Sequence, residues 1–270
     1  SPSQFIMSKT KTIHVPHLGG IDAGYQLAQP YDASKPTVIL VNSFTTSSEL
    51  RTKTEHWTYW DTAIMNLQVL DALGIKGKVF VLGTSQGGWI CIAGILPLGT
   101  SMDYESPRSR SLGCWDCLDS LAATIAGWTS PTPTPDFEPT DEYCEFLLQS
   151  GFGGLDHDPE AKSFWISHVK ANYQGDEGRK RARMCAINLR DRDGLHSRLG
   201  DVKCPVWWMH GTSDQVYSVK NAEEEIEMFT GVGKEDKRLV VVEGGQHFLS
   251  ASHSREVDEV LLEMVERYGK

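Results

Sequence analysis

Lys78-Val-Phe-Val-Leu-Gly-Thr-Ser-Gln-Gly-Gly88 begins as an uninterrupted apolar run and ends in a serine flanked by glycines. A run apolar on both faces fits a strand of a parallel sheet covered by helices. The run stops at Gly83, where Gly83-Thr-Ser-Gln-Gly87 spells Gly-x-Ser-x-Gly. That spacing has a physical reason. A nucleophilic serine must project from a sharp strand-to-helix turn, and small neighbours let the adjoining chain pass close by. The same turn aims the N–H of the next residue, Gln86, at a substrate oxygen. Ser85 is therefore the candidate nucleophile; the bland alternative is a glycine-rich structural turn.

Working outward, similar runs recur at Thr37–Val41, Ala93–Leu98, Val206–Met209 and Arg238–Val242. Residues 54–73 and 254–268 read as helices, the second with Val257, Val260, Leu261 and Val265 on one face. Alternating strands and helices predict an α/β class with a mostly parallel central sheet and flanking helices. Residues 103–200 differ. They hold no convincing strand, a loop at Pro131-Thr-Pro-Thr-Pro135, and helical stretches at 141–150, 159–173 and 178–189. We expect a core of residues 1–102 and 201–270 interrupted by a helical insertion, 103–200.

Two joints conflict with this plan. Parallel strands need a crossover of about a dozen residues or more. Gly88-Trp-Ile-Cys91 runs almost directly into the apolar run at 93–98, and Ser43–Leu50 runs into Arg51–Trp57 with no strand between. The expectation is that segments are missing near Leu50/Arg51 and Cys91/Ile92.

Val206-Trp-Trp-Met-His-Gly-Thr-Ser-Asp214 is a strand, a small polar turn and a carboxylate; Arg238-Leu-Val-Val-Val-Glu-Gly-Gly-Gln-His247 is a strand, a glycine turn and a histidine. Each places a functional group just past the carboxyl end of a strand, the edge where open α/β sheets bind ligands. His247 is read as the general base for Ser85, and Asp214 as the acid that fixes its tautomer. His210 reads as packed and hydrogen-bonded, His196 and His253 as surface or loop residues. Asp191 and Asp193 are rivals to Asp214, but Arg190 and Arg192 beside them suggest a solvated or ion-paired loop. A second backbone donor should come from the loop after an earlier strand, here 42–48, and by position from Phe44.

Composition narrows the partners. The 270 residues are 40% apolar and 23% charged, ordinary for a globular chain, with a formal net charge of −10. An acidic surface argues against nucleic acid and anionic membranes, and no run approaches a membrane span. Six cysteines are scattered, and only Cys114-Trp-Asp-Cys117 has metal or redox spacing, without a second ligand pair. Free thiols, no metal, no cofactor and a cytoplasmic setting are expected.

Leu40-Val-Asn-Ser-Phe44, Gly83–Gly88, His210-Gly-Thr-Ser-Asp214 and Gly244-Gly-Gln-His247 together resemble the α/β-hydrolase superfamily. The order Ser, Asp, His is the one that fold demands. Asn42-Ser43 stands where many relatives have His-Gly, and in this it is similar to enol-lactonases of aromatic catabolism. The resemblance implies a helical cap over the site. A serine nucleophile forms an acyl-enzyme that water releases. The expected activity is hydrolysis of a carboxylic ester or lactone of a medium-sized small molecule. Alternatives are carbon–carbon or thioester hydrolysis on the same scaffold, or a slow-turnover ligand receptor such as the plant hormone receptors of this fold. Trp128, Phe152 and Trp165 are candidate substrate contacts, from a wider aromatic set of Trp115, Phe137, Phe164 and Tyr173. The oligomeric state is not readable.

Overall fold

The computed structural model describes residues 10–41, 57–90 and 95–269, with backbone only at 89 and 90. Among the described residues, five parallel strands form one sheet in the spatial order β3 (Thr37–Val41), β4 (Val79–Thr84), β5 (Ile95–Leu98), β6 (Val206–Gly211), β7 (Lys237–Val242). A separate antiparallel hairpin, β1 (Lys11–Val15) with β2 (Ile21–Tyr25), precedes it. The chain has to return between parallel neighbours β4 and β5 over residues 85–94 alone. Both suspected joints, Leu50/Arg51 and Cys91/Ile92, lie outside the described residues.

Alternation along β6 shows how the sheet is covered. Val206 and Trp208 face a layer containing Ala222 and Ile226 of α8 (Val219–Glu227) and Tyr59 of α1 (Tyr59–Ala72). Trp207 and Met209 face the opposite layer, with Val257, Val260 and Met264 of α10 (Ser254–Tyr268). All six residues of β6 are buried. Fully burying a side chain such as Leu96, Leu98 or Phe229 contributes about 1.5–3 kcal/mol.

Between β5 and β6 come α3 (Pro107–Ser111), α4 (Cys117–Gly127), α5 (Asp141–Phe152), α6 (Pro159–Tyr173) and α7 (Gly175–Arg190). Leu121, Ile125, Cys144, Val169, Ala182 and Ala186 of α4 to α7 pack into a core of their own. Local chemistry sets several helix starts. Thr140 and Asp158 accept hydrogen bonds from backbone N–H groups in the first turns of α5 and α6, and Pro159 opens α6. The predicted helix over 54–73 begins at Tyr59, because Thr58 and Asp61 form a reciprocal capping box. The strand expected over 78–82 runs on to Thr84, because Gly83 and Thr84 continue in register with Pro97 and Leu98. The five cysteines among the described residues are free thiols, Cys114 and Cys117 included. No helix of the described residues is long and apolar enough to cross a membrane.

Candidate active site

Ser85 follows β4 directly and precedes α2 (Gln86–Ile90). Its φ is +55°, in the left-handed region that a non-glycine residue enters only when the surroundings hold it there. They do so on both sides. The Ser85 N–H donates to Leu98 O across the sheet (2.9 Å). The Ser85 carbonyl accepts from the Thr100 hydroxyl and from Gly88 N–H. Gly88 is needed for the close approach, since a Cβ there would lie 2.7 Å from Thr100 Cγ2.

The turns after β6 and β7 bring Asp214 and His247 to the same edge. His247 Nε2 is 2.9 Å from Ser85 Oγ, and Nδ1 is 2.9 Å from Asp214 Oδ2. A carboxylate only accepts, so Nδ1 carries the ring proton and Nε2 offers its lone pair to the serine O–H. Ser85, His247 and Asp214 are all buried. Val216 N–H (2.8 Å) and Tyr217 N–H (3.0 Å) donate to Asp214 Oδ1. Burial by itself would raise the Asp214 carboxyl. Its neighbour His247, the hydrogen bond between them, His210 and the Tyr217 N–H outweigh that and hold it below the usual carboxylate range.

Above Ser85 and His247 opens a recess with ≈ 660 Å³ of non-atom space, part of it open to solvent. Its walls include Trp115, Phe146, Phe152, Trp165, Tyr217 and Phe248. The rings brace one another. Trp115 stacks on Phe146 with centroids 5.7 Å apart, and Phe152 meets both Trp165 (5.4 Å) and Phe248 (5.1 Å). The Trp115 backbone N–H donates to Val216 O (2.9 Å), tying the helical segment to the turn that carries Asp214.

The structure thus brings Ser85, His247 and Asp214 together and puts Phe152 and Trp165 on the recess. Trp128 is elsewhere: it is buried in the core of the helical segment, edge-on to Tyr143 (4.7 Å), and does not line the recess. Phe137 and Tyr173 belong to that same core, and Phe164 is largely exposed. Gln86 opens α2, so its N–H belongs to a first turn without intrahelical acceptors. Phe44 lies outside the described residues. Asp191 is paired with Arg190 and Asp193 accepts from the Trp60 indole, so neither rival joins the line. His196 is half-buried rather than a surface residue, because Nε2 contacts the wholly buried Glu225 (2.9 Å). Asp103, His196 and Glu225 are grouped closely enough to suggest a metal, but Arg108 already contacts both carboxylates. Sequence reasoning missed Phe146, Tyr217 and Phe248 as wall residues. Adjacency was the available signal for two of them, since Phe248 follows His247 and Tyr217 is three residues past Asp214.

No family model matches the chain, and no curated protein matches it. Solved structures do. A hydrolase from Pseudomonas aeruginosa superposes with a TM-score of 0.70 at 16% identity, over 94% of this chain and 98% of that one. A thermophilic esterase from Thermogutta terrifontis gives 0.70 at 12%, over 95% and 98%. A meta-cleavage product hydrolase from Pseudomonas fluorescens gives 0.66 at 13%, over 94% and 97%. At such identities the likeness speaks for architecture alone. This chain has the α/β-hydrolase fold.

Proposed function

We propose that this chain is a serine hydrolase that cleaves a carboxylic ester or lactone of a medium-sized, largely apolar small molecule through an acyl-enzyme. The observation that carries the reading is the unbroken buried line Ser85 Oγ–His247 Nε2, His247 Nδ1–Asp214 Oδ2 at the floor of an aromatic recess.

In this reading His247 Nε2 takes the hydroxyl proton as Ser85 Oγ attacks the carbonyl carbon. The negative charge that develops on the carbonyl oxygen is met by the Gln86 N–H and, by its position in the sequence, the Phe44 N–H. His247 then returns the proton to the departing alkoxide. In a lactone that alkoxide stays tethered to the acyl group. Water enters, loses a proton to His247 and attacks the acyl carbon. The acid leaves and Ser85 regains its proton. Asp214, ionised throughout, holds the Nδ1–H tautomer and stabilises the imidazolium. The helices α4 to α7 act as the cap, with Phe152 and Trp165 shaping selectivity.

Carbon–carbon bond hydrolysis is a second reading, favoured by the likeness to a meta-cleavage product hydrolase. The experiment is labelling by a fluorophosphonate probe followed by turnover on p-nitrophenyl esters, lactones and a diketone. Ser85→Ala should lose labelling and reduce kcat by on the order of 10³-fold or more with folding intact. Multiple turnover persisting in that variant would remove Ser85 from the reaction. Labelling without multiple turnover would point to a receptor that retains the constellation.

A further inference from the structure

β6 alternates between two apolar layers, and on the face that carries Val206 and Trp208 its next residue is His210. A buried imidazole in an apolar row is costly unless its ring atoms are used. His210 is wholly buried, and its Nε2 is 2.8 Å from Tyr217 O and 3.4 Å from Asp214 Oδ2. A carbonyl oxygen only accepts, so Nε2 carries the proton. Nδ1 is buried with no partner among the described residues, which leaves nothing to receive a second ring proton. The titratable groups around the ring are Asp214, His247 and Glu225. Burial, the leading influence, holds the imidazole neutral.

The contacts close a loop. Tyr217 N–H donates to Asp214 Oδ1, while Tyr217 O accepts from His210 Nε2–H. The longer contact of that same N–H falls on Asp214 Oδ2, the oxygen that receives His247 Nδ1–H. The turn from Gly211 to Tyr217 is thereby drawn against the end of β6, and the Asp214 carboxylate is left with one orientation.

We propose that His210 is a positioning residue for the reaction: as the neutral Nε2–H tautomer it cinches the Asp214–Tyr217 turn and aims Asp214 Oδ2 at His247. The inference rests on the reading of Ser85, His247 and Asp214 given above. His210 itself touches no reacting atom, and it acts through Asp214.

Two variants and one spectrum test this. His210→Leu removes the donor but keeps an apolar side chain; His210→Gln restores an amide N–H near the Nε2 position. On a p-nitrophenyl ester the leucine variant should lose roughly 10- to 100-fold in kcat with KM within about twofold, the size expected from a small misplacement of a catalytic group. The glutamine variant should recover most of that loss. In the unmodified protein, ¹⁵N–¹H correlation of the histidine rings should show His210 as the neutral Nε2–H tautomer at neutral pH, and His247 with a downfield Nδ1 proton that weakens in His210→Leu. A folded leucine variant with unchanged kcat overturns the proposal. So does a His210 protonated at Nδ1, a result that needs no variant to fold. Failure of the probe to label Ser85 in the unmodified protein would instead sink the hydrolase reading itself.

Discussion

Gly99 shows how little room the site leaves. Its φ is +49°, and a Cβ there would stand 2.6 Å from His247 O and 3.0 Å from Asp214 Oδ2. An L-residue in this conformation is strained, by roughly 1–2 kcal/mol, before any contact is considered. The nearest atom is backbone, so it cannot swing aside. Gly99→Ala should therefore displace the His247–Asp214 pair and lower kcat by on the order of 10²-fold while a chromatographic and circular-dichroism check shows a folded protein. Activity equal to the parent would mean that the loop after β5 yields, and that the site is not rigidly framed from that side. Ser85, Asp214 and His247 were legible because each follows a strand run after a short small-residue turn, a pattern carried in neighbouring residues. Gly99 was not legible as a functional position. Its neighbours across the gap, His247 and Asp214, are more than a hundred residues away in the chain, and only the pairing of β5 with β6 and of β6 with β7 brings them together.

Among the elements, α5 is joined to the turn that carries His247. Phe248 N–H donates to Gly151 O (2.8 Å) at the last turn of α5, and the Phe248 ring lies against Phe152 and His247. A Cβ on Gly151 would meet Phe248 Cε2 at 2.3 Å. Gly151→Ala raises helix propensity by about 1 kcal/mol but forces that ring to move. The expected result is a loss in kcat/KM of about 10-fold on a long-chain p-nitrophenyl ester, the upset being of the 1–3 kcal/mol order of overpacking. The acetate ester should suffer less, and the ratio of the two substrates is the measurement. An equal loss on both would place the effect on His247 rather than on the recess wall. Helices with clear caps or apolar periodicity, such as α6 and α10, were readable in advance. The β1–β2 hairpin was not, because β1 is mostly exposed and the buried Val15, Ile21 and Ala23 make no continuous apolar run. α8 was also missed, although four of its residues are buried, two of them the polar Asn221 and Glu225.

At the scale of the molecule, the question is what holds the helical segment to the sheet. The chain leaving β5 and the chain returning from α7 run together, with Leu195 N–H donating to Met102 O (2.7 Å). Arg192 fastens them. Its guanidinium donates to Glu105 Oε1 (2.6 Å), Asp103 O and Leu189 O (both 3.0 Å), and both charged side chains are almost wholly buried. Sequence had read Arg192 as part of a solvated or ion-paired loop. The pairing is present, but its partner is 87 residues distant and the solvent is absent. Removing one member of a buried pair strands the other, at a cost of about 3–5 kcal/mol. Arg192→Met should destabilise by that order in urea unfolding at neutral pH, and Arg192→Met with Glu105→Gln should recover much of it. The pH dependence has a definite sign. Burial already raises the Glu105 carboxyl above its ordinary 4.5, with Arg192 opposing. Without Arg192 the carboxyl rises further, so the folded state binds the proton more readily than the unfolded chain does. Its penalty is then small near pH 4.5, grows as pH rises towards the raised value, and is constant above it. The gap in stability between Arg192→Met and the parent, measured at matched pH, should widen from acid to neutral. A gap independent of pH would show that Arg192 holds the segment through the Asp103 and Leu189 carbonyls, with Glu105 a bystander.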